Sequence, residues 1–176
     1  MGCRAIFLRR CLPYLLLLTG VALASAWVPQ PQGRFVFRAV VEGEPFVAEF
    51  RRFEVTPAID PAAMPTGFDV EIDLAAIDSG NRDRDREMAS REWFDLAEHP
   101  AARFRSTAVT PLGDGAYVVA GDLAIKGAVR RIEIPFDWRS DGSSAAMRGR
   151  VDLDRRWFGV GPDDDSSVGA TVSVSF

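Results

Sequence analysis

The sequence predicts a mainly β protein: a closed antiparallel barrel of eight strands, with a short helical insert capping one end. Three observations predict it. Apolar residues recur at every second position in eight separate rows. Turn signals built on glycine or proline separate the rows. Each row has one apolar and one polar face, and closing such a sheet on itself leaves no exposed edge.

The first 26 residues read as an export leader. Arg4, Arg9 and Arg10 form a positive start, an apolar core runs from Leu12 to Leu23, and Ala24-Ser25-Ala26 is a small-x-small cleavage site. The core is shorter than the ~20 residues of a membrane span, and Pro13 interrupts it. Cleavage would start the mature chain at Trp27 and place it in the periplasm or outside the cell. Both cysteines, Cys3 and Cys11, lie in the leader, so the mature chain has neither disulfide nor thiolate chemistry. Residues 27–176 suffice for a single domain with its own core.

The rows follow in order. Phe35 and Phe37 alternate with Arg34, Val36 and Arg38, and Phe46, Ala48 and Phe50 with Val47 and Glu49. Phe68, Val70, Ile72 and Leu74 alternate with Asp69, Glu71 and Asp73, the pattern of a half-buried strand. Phe104 and Ser106 alternate with Arg103 and Arg105, and Tyr117, Val119, Gly121, Leu123 and Ile125 form the next row. Ile132, Ile134, Phe136 and Trp138 precede Met147, Gly149, Val151 and Leu153, and Val172, Val174 and Phe176 close the chain.

Residues Ala76 to Pro100 break this pattern. Arg82-Asp83-Arg84-Asp85-Arg86-Glu87 alternates in charge but lacks β-branched residues, and it follows Gly80-Asn81. That favours a short helix with Asn81 near its N-cap. Strict alternation sets opposite charges at i,i+3 and like charges at i,i+4, effects of ~0.2–0.5 kcal/mol each that roughly cancel. The run is therefore expected to face water, while Met88, Trp93 and Phe94 anchor the segment over one end of the barrel. Hairpins need only ~2–5 residues, so an insert of this length implies a task, and a lid is the usual one.

The leader takes three arginines with it, leaving 18 basic against 25 acidic residues. This acidic balance excludes nucleic acid as a partner. Catalysis has little to stand on. His99 is the one histidine and sits in a turn before Pro100, and no G-x-S-x-G elbow or His/Cys metal spacing occurs. No catalytic residue, metal or cofactor is expected.

Three stretches carry a resemblance. "IDSGNRDRDREMASREWFDLAEHPAARFRS", "GDLAIKGAVRRIEI" and "RRWFGVG" resemble the consecutive signatures of the YceI family, from about Arg34 to Phe176. The resemblance implies an exported, lipocalin-like barrel that binds polyisoprenoid lipids. Departures exist: Ala48 replaces a usual glycine, Glu87 stands where a histidine-containing pattern begins, and the segment after "FGVG" is short, with Asp163-Asp164-Asp165 in a tight loop.

On that reading the cavity wall draws on Phe37, Phe46, Phe50, Phe68, Val70, Ile72, Phe104, Val119, Leu123, Ile134, Phe136, Val151 and Phe158, with Met88, Trp93 and Phe94 as the lid. The ligand would be a polyprenyl chain or an isoprenoid quinone, held for carriage or sequestration. Large rings interleaved with Ala48, Gly121 and Gly149 also suit a filled core. The second reading is then an accessory of a membrane redox protein that binds no ligand. Transient contact with a membrane or its redox proteins, and a homodimer, fit either reading.

Overall fold

The computed structural model describes residues 33–141, 143–163 and 167–176; the leader expected over residues 1–26 lies outside them. Ten strands form one antiparallel sheet: β1 Phe35–Val41, β2 Glu44–Phe50, β3 Phe53–Ile59, β4 Pro65–Asp73, β5 Ile77–Asp78, β6 Ala101–Gly113, β7 Ala116–Ile125, β8 Ala128–Ser140, β9 Ala145–Asp154 and β10 Thr171–Ser175. One helix, α1 Arg82–Met88, follows β5, and short 3-10 turns occupy Leu74–Ala76 and Arg155–Phe158. The eight predicted rows map to strands, with alternate side chains buried: in β8, Ile132, Ile134, Phe136 and Trp138 point into the core.

Tight hairpins set the register. Val41 pairs with Glu44 and Ile125 with Ala128, which leaves two-residue loops at Glu42-Gly43 and Lys126-Gly127. All four loop residues have positive φ, as the right-handed strand twist demands of such turns.

The strand order is β3-β4-β6-β7-β8-β9-β10-β1-β2-β5, so the ladder does not return on itself. The sheet is a curled half-barrel of ten strands, not the closed barrel of eight expected from the sequence. Two kinks explain the difference. The chain bends at Arg51-Arg52 between β2 and β3, and through Leu74–Ala76 between β4 and β5. Arg51 N–H donates to Ala76 O at 2.9 Å, and Asp73 N–H to Arg52 O at 3.0 Å, so the two bends brace each other. Each bend splits one long run in two, and β3 and β5 become the ends of the ladder. Near the seam Phe35 packs on Phe53, with ring centres 4.7 Å apart, and stacks on Phe176 at 5.4 Å. β3 carries Pro57, and proline is tolerated on an edge strand because no neighbour needs its missing N–H.

Aromatic rings close the end of the half-barrel away from α1. Phe136 packs edge-on against Phe68 at 5.3 Å and stacks on Tyr117 at 5.4 Å. Trp138 meets Phe68 at 6.0 Å, and its indole N–H donates to Ala63 O at 3.0 Å, which fixes the β3–β4 loop across this floor.

Candidate functional site

Above the floor lies a cavity of about 570 Å³. Its wall is almost wholly apolar, because the inward positions of the strands are apolar and the polar ones alternate outward. All the sequence-nominated residues line it except Phe136, which belongs to the floor packing instead. Phe136 shares the parity of Ile134, but it lies one step nearer the floor, beyond the cavity's reach. Phe35, Leu74, Met147 and Phe176 also line the wall, each predicted as an inward residue of its row but not as part of the site.

The glycines in the inward rows are occupied by neighbours. A Cβ on Gly121 would lie 2.5 Å from both the Phe104 ring and Arg105 O. A Cβ on Gly149 would lie 2.4 Å from the Phe176 ring. These gaps serve jigsaw packing, and the cavity lies elsewhere.

α1 forms where the sequence places it. The Asn81 side chain accepts from Asp83 N–H at 3.0 Å and Arg84 N–H at 3.2 Å, capping the first turn. Met88 is buried, and Trp93 and Phe94 turn inward to line the cavity, Phe94 lying edge-on to Phe50 at 6.4 Å. The charged run does not face water throughout. Arg84 and Glu87 line the cavity rim, and the Arg84 guanidinium sits 4.7 Å from the centre of the Phe46 ring. Asp85 accepts from Ser79 N–H at 3.0 Å and is half-buried. A helix of seven residues exposes one face to solvent and lays the other on the mouth, so alternation by twos cannot keep every charge outside.

Two latches hold the lid segment. Lys126 Nζ donates to Glu92 O at 2.9 Å and to Gly159 O at 2.6 Å. Gly161 N–H donates to the same Glu92 carbonyl at 3.0 Å, and the Trp93 ring lies where a Cβ on Gly161 would be.

Arg155 is the one buried charged side chain among the described residues, 5 % exposed, and it lines the cavity beside the lid. Periodicity could not find it, because it sits in a 3-10 turn rather than a strand. The other charged residues of the wall, Glu44, Arg84, Glu87 and Arg103, are exposed. Outside the half-barrel, cross-strand ion pairs such as Arg34–Glu49 at 2.9 Å and Arg105–Asp69 at 3.1 Å decorate the polar face. The Arg34 hydrogen bond holds the Glu49 carboxyl below the usual carboxylate range.

The family model of the YceI-like domain matches residues 27–176. A UPF0312 protein of Pseudomonas savastanoi pv. phaseolicola is 28 % identical over 173 residues, covering 92 % of this chain and 90 % of its own. The crystal structure of Burkholderia cenocepacia BcnA is 28 % identical, with a TM-score of 0.76 over 81 % of this chain and 92 % of its own. A polyisoprenoid binding domain from Saccharophagus degradans, implicated in plant cell wall breakdown, is 13 % identical, with a TM-score of 0.63 over 81 % and 90 % of the two chains, a likeness of fold alone. With a family match that spans the whole described half-barrel, the chain belongs to the YceI family.

Proposed function

We propose that this protein is exported and binds an isoprenoid lipid, a polyprenyl chain or an isoprenoid quinone, in the lidded cavity, for carriage or sequestration. The observation that carries the reading is the cavity itself: about 570 Å³, apolar, and covered by Met88, Trp93 and Phe94. A dry void of that size, at ~24 cal/mol per Å³, costs an amount comparable to the whole stability of a domain, ~5–15 kcal/mol. An apolar chain offsets that cost, contributing ~0.8 kcal/mol per methylene-sized group buried. The named ligand class of the Saccharophagus degradans neighbour points the same way. The accessory reading, with a filled core, leaves the cavity without a role.

Organic extraction of the purified protein followed by mass spectrometry tests the reading. Delipidated protein is expected to melt lower and to recover on adding isoprenoid, by ~2.7 kcal/mol at a hundredfold excess over Kd. An unchanged melt with no extractable lipid returns the protein to the accessory reading. Export is tested separately: intact mass of protein from the native envelope should begin at Trp27, and a retained Met1 refutes cleavage.

A further inference from the structure

A cavity that needs only to hold a hydrocarbon has no use for a buried cation in its wall. Arg155 is such a cation. Its Nε–H donates to Gly169 O at 3.3 Å, Nη1 donates to Val160 O and Pro162 O, both at 2.8 Å, and Nη2 donates to Val168 O at 3.3 Å. These bonds use four of the guanidinium's N–H groups and leave one on Nη2 without a protein acceptor among the described residues. No ion pair to Arg155 occurs among the described residues. Asp154, its neighbour in sequence, is bound by Arg156 at 2.6 Å, a bond that holds the Asp154 carboxyl low, and Arg155 adds only a weaker pull on it from a distance. The charge is thus solvated by backbone carbonyls, which compensate a buried cation less well than an anion does. The indole of Trp93 lies 5.9 Å from the guanidinium carbon, so the lid covers the same spot.

We propose that the cavity selects lipids with an oxyanion head, a carboxylate or a phosphate, and seats that head against Arg155 beneath Trp93. The inference rests on the lipid-binding reading and adds the head's chemistry to it. An incoming oxyanion supplies the direct ion-pair partner that the described residues do not, and accepts the spare N–H, while the chain extends toward the floor. A neutral alcohol or ester of the same chain gains the apolar burial but gives the buried charge no anionic contact. Arg155 pins the backbone at Val160, Pro162, Val168 and Gly169 whether or not a ligand is bound; the head takes the donor that the pinning leaves over.

Calorimetric titration of delipidated protein with four ligands of one chain length tests this: farnesoate, farnesyl phosphate, farnesol and methyl farnesoate. The acids are expected to bind at least about tenfold tighter than the alcohol and ester, since hydrogen bonds to charged groups are the strong ones. Preference for farnesoate over farnesyl phosphate, or the reverse, identifies the head. Equal affinity across all four overturns the proposal and leaves lipid binding intact; binding of none overturns both. Arg155→Lys keeps a charge but loses the fork, and should shrink the preference for acids while sparing methyl farnesoate. Should that variant fail to fold, the wild-type ligand series decides alone. If the preference survives in Arg155→Lys and vanishes in Arg84→Met, the head sits at the rim and the proposal is wrong.

Discussion

Phe136→Ala is expected to lower stability by about 3–5 kcal/mol, the range for truncating a buried phenylalanine. The ring is 4 % exposed and held between Phe68 and Tyr117, with no room for either neighbour to collapse without disturbing Trp138 and its bond to Ala63. The loss should depend on ligand length. Because Phe136 is part of the floor beneath the cavity, its removal deepens the pocket, and a longer isoprenoid should restore more stability than a short one. Urea melts of wild type and variant, each with a short and a long chain, read both effects. A loss below about 1 kcal/mol, which is what an exposed site gives, shows that the floor is loosely packed. Phe94→Ala is the contrast: its ring is only half-buried at the lid, so stability should fall less and ligand should leave faster.

Gly121→Ala is expected to cost about 3 kcal/mol, the upper end of the usual penalty for overpacking. One of the two atoms that the new methyl meets at 2.5 Å is Arg105 O, backbone of the adjacent strand, which cannot step aside without opening the β6–β7 ladder. Gly149→Ala tests the reasoning. Its closest conflict, at 2.4 Å, is the far end of the Phe176 ring, a side chain that can turn aside, and the nearest backbone atom, Pro135 O, lies at 3.0 Å. The loss at Gly121 should exceed that at Gly149 in a thermal or denaturant melt. The reverse order would mean that Phe176 is fixed more firmly than the β6 backbone.

What the sequence revealed followed from periodicity. A row of alternating apolar residues fixes both a strand and its inward face, so β4, β7 and β8 and their cavity-facing residues were legible. β3 was not, because Pro57 and the alternating but half-exposed Phe53, Val55 and Ile59 read as connection rather than strand. β5 has only two residues and no pattern to show. The open ladder was hidden because the kinks at Arg51-Arg52 and Leu74–Ala76 depend on tertiary bonds between distant segments. The site divides in the same way. Lining residues on strands were predicted from their side of the pleat. Arg84 and Glu87 are exposed as expected, but their place at the cavity rim was hidden because alternation by twos says nothing about which face a helix lays down, and Arg155 was overlooked because a turn has no periodicity at all.

Lys126 has a practical consequence. It is the single lysine of the chain, and its amine is occupied with Glu92 O and Gly159 O, two carbonyls on opposite sides of the seam between lid and wall. An amine-directed reagent therefore has one side-chain target. The two bonds hold the amine at the seam and slow its acylation, so its acylation rate should rise when the lid segment loosens. Because an acylated Lys126 is uncharged and bulkier, each reacted molecule is also one in which the fastening can no longer be remade in the same way. Acylation of Lys126, followed by mass, thus reports the looseness of the lid segment.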